Sequence, residues 1–131
     1  MADSKGYQTY DRAPASPRPV RERVGDWAEV IAPRSTEQAR QQGARCQSCG
    51  IPFCHQGCPL GNEIPDWNEM IARDDWRNAW RMLQATNELP EMTGRLCPAP
   101  CEAACTLAIH HGAVTIEHNE RDITERAFGE G

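Results

Sequence analysis

Between Cys46 and Cys58 the chain reads CQSCGIPFCHQGC, which sets four cysteines at intervals of three, five and four residues. Gly50, Pro52 and Gly57 interrupt regular structure inside this stretch and Pro59 follows it. The backbone must therefore turn repeatedly, and turns let several side chains of one short loop point at one centre. A buried thiol acting as a small hydrophobe accounts for one cysteine. It accounts poorly for four within thirteen residues amid glycines and prolines.

Cys97, Cys101 and Cys105, in LCPAPCEAAC, form a second group and complete the seven cysteines of the chain. An all-disulfide framework cannot use up an odd number. The N-terminus, MADSKGYQTYDRAP, has no apolar signal-peptide core, and no apolar run approaches the roughly 18 residues of a membrane span. A cytoplasmic setting with no membrane partner is the resulting expectation, and disulfides rarely persist there. Metal ligation is the remaining use for so many thiols.

Thiolates are soft donors that suit zinc or iron–sulfur clusters. Structural zinc often takes two ligands from a short C-x2-C turn and two from a distant pair. Here the first group continues past the pair to Cys54 and Cys58. A third ligand close behind the first two suits a cubane, whose iron corners need several turns of one loop. A terminal Cys-Pro, here Cys58–Pro59, is the ferredoxin manner, in which that last cysteine serves a second cluster. Two four-iron clusters need one ligand more than the seven cysteines supply. Glu120 is the leading candidate, with His55, His110, His111 and His118 as competitors. One cluster with spare thiols, and a zinc-stapled structural or protein-binding module, stay open on spacing alone.

Charge excludes another class. Residues 1–45 carry eight basic and six acidic groups, whereas 46–131 carry six basic and thirteen acidic. A grip on nucleic-acid phosphates needs clustered Lys and Arg, so no nucleic-acid partner is expected. The 131 residues fit one modest domain whose core, diluted by ten Gly and ten Pro, a cofactor would help stabilise.

Taken in order, residues 1–19 read as an extended N-terminal arm, interrupted by Pro14, Pro17 and Pro19, and residues 20–131 as a helical domain. Val24, Trp27 and Ile31 recur at helical spacing up to Pro33. Ser35 with Gln38 has the form of a capping box, opening a helix that delivers the chain to Cys46. Ile64, Trp67, Met70 and Ile71 share one apolar face, as do Trp76, Trp80 and Leu83 after a break near Asp74–Asp75. These tryptophans read as core, with a docking face as the rival. Pro90, Gly94, Pro98 and Pro100 argue for irregular chain up to Cys101. A helical turn over 101–107 puts Cys101 and Cys105 on one face. A last helix, 116–128, turns Ile116, Ile123 and Ala127 inward. Glu120 falls on that face, where a carboxylate is costly unless paired or metal-bound. No strand pattern appears, and no internal duplication beyond the two cysteine groups.

At RCQSCGIPFCHQGCPLGNEIPDWN and again at ATNELPEMTGRLCPAPCEAAC, the chain resembles the N-terminal iron–sulfur domain of the glutamate synthase small (beta) subunit, a domain shared with dihydropyrimidine dehydrogenase. The similarity extends to PVRERVGDWAEV and VTIEHNE. It implies an all-α, alpha-helical ferredoxin-like domain wrapped around two [4Fe–4S] clusters. It further implies one cluster on Cys46, Cys49, Cys54 and Cys105, and another on Cys58, Cys97, Cys101 and Glu120. The implied role is electron relay between FAD and the FMN of the large subunit, with no catalytic residue in the domain itself. FAD and NADPH would sit in the remainder of the small subunit, since no G-x-G-x-x-G fingerprint occurs here. The expected partners are that remainder and the large subunit. A domain taken from a longer subunit is the first expectation; a stand-alone carrier for another flavoprotein is the alternative.

Overall fold

The computed structural model describes residues 5–130, so the first four residues of the expected arm and Gly131 lie outside the described residues. Helices α1 (Gly6–Thr9), α2 (Val20–Arg23), α3 (Thr36–Ala44), α4 (Phe53–Gly57), α5 (Ile64–Ala72), α6 (Trp76–Gln84), α7 (Pro90–Leu96), α8 (Pro100–Ala103) and α9 (Ile116–Glu130) follow one another, with a 3-10 turn at Thr106–Ile109. The architecture is all-α. Among the described residues the sole β pairing is an isolated bridge between Pro17 and Ile31.

Helix α3 starts on the expected capping box. The Gln38 amide donates to Ser35 Oγ at 3.2 Å, and the Ser35 amide donates to Gln38 Oε1 at 2.9 Å. Helices α5 and α6 form the expected hairpin. Asp74 takes a left-handed φ of 64° in the turn, and the Asp75 side chain caps α6 by accepting from the Asn78 amide. Their inner faces make the core: Ile64, Trp67, Ile71, Trp76, Ala79 and Leu83 are buried, joined by Ile116 and Ile123 of α9. Ala127 is half-buried at the edge of the α9 stripe.

Three local expectations fail for identifiable reasons. The apolar spacing of Val24, Trp27 and Ile31 does not sustain a helix, because α2 stops at Arg23 and Trp27 stands fully in solvent. There the Asp26 carboxylate accepts from the Ala28 amide at 2.9 Å and pairs with Arg18, holding a bend instead. The stretch after Pro90 is helical rather than irregular: proline at a first helical position lacks only an amide that would be unpaired anyway, and α7 begins on it. Gly94 then lets α7 press onto α9, since a Cβ there would lie 2.9 Å from the Arg121 nitrogen. Finally, Cys101 and Cys105 do not share a helix face. Helix α8 ends at Ala103 and Cys105 has extended backbone, φ −66° and ψ 121°.

The segment before α2 is tied down at several points. Gln42 of α3 donates to the Asp11 carbonyl and accepts from the Ala13 amide, both at 3.0 Å, and the Ala15 amide donates to His118 Nδ1 at 2.8 Å. The prolines keep this path extended while polar groups of α3 and α9 fix its course.

Candidate metal centres

Cys46 follows the end of α3 by two residues, Cys49 lies in the turn beyond, and Cys54 is in α4. With Cys105 they line one cavity whose remaining wall is mostly apolar, built from Pro52, Phe53, Ile64, Pro65, Leu107, Val114 and Ile116. Burial pushes the Cys46 thiol up to about 12, with Cys54, Cys105 and Cys49 adding to the rise against the Ser48 amide. Cys54 is likewise pushed up to about 11 by burial, with Cys105 and Cys49 contributing. In the protein alone these sulfurs keep their protons at neutral pH. Metal cations reverse that balance by replacing protons on ligating thiols.

A second group gathers around Cys101 of α8. Burial first, then Cys58, Glu102 and Cys97, push the Cys101 thiol up to about 12. The Ala99 amide donates to Cys97 Sγ at 3.4 Å. Among the described residues no three His, Cys, Asp or Glu converge closely enough for a single metal ion.

One close contact joins the two cysteine stretches. Gly57 sits between Cys54 and Cys58 in sequence, and Ala104 between Cys101 and Cys105. A Cβ on Gly57 would lie 2.6 Å from the Ala104 Cβ, so α4 and α8 meet backbone to methyl at this point. Cys54 and Cys105 share the first cavity, whereas Cys58 acts on Cys101 in the second group. Each cysteine stretch therefore supplies both groups. Two non-glycine residues with left-handed backbone, Ser48 (φ 49°) and Ala99 (φ 50°), lie inside these stretches. Such conformations are disfavoured for residues with a Cβ and persist where surroundings impose them.

Glu120 is 6% exposed on α9. Burial pushes its carboxyl up to about 7, against hydrogen bonds from Thr93 and Asn87 that hold it lower. Oε1 accepts from Asn87 Nδ2 at 3.1 Å and from the Thr93 hydroxyl, and Oε2 from Asn62 Nδ2 at 3.4 Å. Asn62 follows Cys58 by four residues, and the Thr93 carbonyl accepts the Cys97 amide at 3.1 Å. The carboxylate is thus held between the segments that carry Cys58 and Cys97. Its donors are all neutral, with no arginine partner in the bonds it makes.

The histidines have other settings. His118 accepts the Ala15 amide, and burial followed by nearby Arg34 lowers its pKa. His111 is exposed and meets Tyr7 edge-on at a ring separation of 5.6 Å, His110 is exposed, and His55 is half-buried in α4.

Sequence reasoning missed Asn62, Asn87 and Thr93. A signal for the asparagines is present: Asn62-Glu63-Ile64-Pro65 and Asn87-Glu88-Leu89-Pro90 are near-copies, each leading into a helix with proline in its first turn. The duplication sets one asparagine on each oxygen of Glu120. Thr93 has no such signature.

Comparison with known proteins gives a coherent set. The family model for dihydropyrimidine dehydrogenase domain II, 4Fe-4S cluster, matches residues 23–131. The glutamate synthase [NADPH] small chain of Mycobacterium tuberculosis is 52% identical over 132 residues, covering 100% of this chain and 27% of that protein. The small chain of Bacillus subtilis is 43% identical over 140 residues, covering 100% of this chain and 28% of its own length. The glutamate synthase [NADH] of Saccharomyces cerevisiae is 45% identical across 98% of this chain and 6% of its own. The chain thus spans about a quarter of the bacterial small chains it matches.

Proposed function

Because the chain belongs to the family of the 4Fe-4S domain II of dihydropyrimidine dehydrogenase, we propose that it holds two [4Fe–4S] clusters and relays electrons within a glutamate synthase. Cys46, Cys49, Cys54 and Cys105 ligate one cluster; Cys58, Cys97, Cys101 and Glu120 ligate the other. The observation that carries this reading is the arrival of Cys105 in the cavity of Cys46, Cys49 and Cys54, which leaves the remaining three thiols as a separate group.

The donor chemistry fits. Four thiols, Cys54 buried and the other three half-buried, around a mostly apolar cavity give a soft ligand set, and iron–sulfur clusters supply one-electron transfer at potentials tuned by charge, burial and hydrogen bonds to sulfur. The chain's own residues do the tuning. Amides of Ser48, His55 and Glu102 face Cys46, Cys54 and Cys101 and stabilise negative charge on sulfur. The apolar wall excludes water from the first set, while Asn62, Asn87 and Thr93 aim the Glu120 carboxylate for the second. An oxygen donor in place of one thiolate sets that centre apart electronically.

On this reading the donors and acceptors are flavins: FAD, fed by NADPH, in the remainder of the small subunit, and FMN in the large subunit. Among the described residues no helix is long and apolar enough to cross a membrane. We assign the protein to the cytoplasm, residues 20–131 to the cluster-holding domain and residues 1–19 to the N-terminal arm.

Anaerobic reconstitution followed by iron and sulfide analysis tests the proposal: about eight of each per chain are expected for two cubanes, and stoichiometric zinc without sulfide contradicts it. Glu120→Ala is expected to alter the EPR signal or potential of one cluster alone, and an unchanged pair of signals removes Glu120 from the ligand set.

A further inference from the structure

Arg45 directly precedes the first cysteine and is 1% exposed. Its guanidinium donates only to backbone carbonyls: Nε to Tyr10 at 3.0 Å, Nη1 to Ala113 at 2.9 Å, and Nη2 to His111 at 2.7 Å and Gly112 at 3.1 Å. Among the described residues no carboxylate forms an ion pair with it. Arg34, another buried arginine, shows the ordinary solution, pairing with Asp122 at 2.5 Å. An arginine keeps its charge in any protein setting, and a buried charge without a counter-charge is strongly destabilising. The carbonyls solvate Arg45 without neutralising it. Asp11 and the Cys105 sulfur act on it, against the repulsion of Arg12.

The cavity of Cys46, Cys49, Cys54 and Cys105 adjoins this cation through both Cys46 and the 111–113 turn, which runs into cavity residue Val114. A cubane held by four thiolates carries net negative charge, and reduction adds more. The other group has different surroundings: Glu102, paired with Arg12 at 2.6 Å, acts on Cys101, and the Glu120 carboxylate is buried among neutral donors. We propose that Arg45 is the built-in counter-charge of the first cluster, a residue that raises its reduction potential relative to the second and so gives the relay a direction. This inference rests on the two-cluster reading above.

The test is an EPR-monitored potentiometric titration of the reconstituted full chain, with Arg45→Gln and Arg45→Lys. In Arg45→Gln the midpoint of the cluster insensitive to Glu120→Ala falls, while the other midpoint stays in place. Arg45→Lys restores the first midpoint toward the wild-type value, because lysine keeps the charge and loses the four-carbonyl fork. Arg40→Gln, which removes an exposed cation paired with Glu37, moves neither. A purely structural role predicts that lysine fails as glutamine does, and that result overturns the inference. So do unchanged midpoints, both midpoints falling together, or failure of both variants to hold iron. Absence of two cluster signals in the wild-type chain instead overturns the parent reading, before any Arg45 variant is compared.

Discussion

The two sulfur groups are built from the same two stretches of chain, yet their surroundings differ in kind. The group of Cys46, Cys49, Cys54 and Cys105 faces an apolar wall with a buried arginine behind it. The group of Cys58, Cys97 and Cys101 lies beside Glu102, and its loops enclose a buried carboxylate held by three neutral donors. A single centre needs no such asymmetry, whereas a relay gains from it, because electrons move between sites of unequal potential. The difference also has a common hinge: both groups depend on α4 meeting α8 at Gly57 and Ala104.

Breaking that hinge has the largest expected effect. Gly57→Val forces side-chain atoms into a gap that cannot take a Cβ. Separation of α4 from α8 is expected to cost at least about 1 to 3 kcal/mol, the usual range for overpacking, and to prevent loading of both clusters together. Loss of one cluster alone, measured by iron content and EPR, would show that the groups do not share this contact.

A smaller and one-sided effect is expected from Asn87→Ala. It removes a donor from Glu120 and from the Thr93 hydroxyl, as well as the acceptor of the Leu89 amide. Loss of a buried hydrogen-bond partner costs about 1 to 3 kcal/mol, readable in denaturant unfolding of the metal-free chain. In the loaded chain the signal altered by Glu120→Ala shifts and the other does not. Equal perturbation of both signals would merge the two regions that the comparison separates.

The mildest change sharpens the comparison without breaking it. Ala99→Gly relieves a left-handed φ of 50° in the second group's loop and is expected to stabilise the metal-free chain by about 1 kcal/mol. Slower loading or easier loss of the second cluster would accompany it if the strained turn pre-orders Cys97 and Cys101; identical loading kinetics would limit Ala99 to a stability role.

Much of this architecture was legible from sequence because local rules decide it. The Ser35–Gln38 box, the α5–α6 hairpin and the inward face of Ile116, Glu120 and Ile123 rest on spacing that short-range physics enforces. What escaped depends on contacts distant in sequence. The periodicity of Val24, Trp27 and Ile31 signals a helix, but burial supplies most helix stability, and Trp27 finds nothing to bury against. Pro90 and Gly94 look like breakers and are instead a helix start and a close-packing site on α9. Cys101 and Cys105 have helical spacing, but an extended Cys105 sends the two sulfurs to different groups. Asn62 and Asn87 were readable as a repeat, although only the folded chain shows that both reach one carboxylate.

The central claim is that seven thiols and one carboxylate make two clusters stitched by Cys105 across the chain. Its most direct test is Cys105→Ser, reconstituted anaerobically and followed by iron analysis and EPR. The account predicts that the signal sensitive to Glu120→Ala survives, while the other is lost or altered and iron falls by up to about half. Survival of both signals unchanged, or alteration of the Glu120-dependent signal instead, would contradict it.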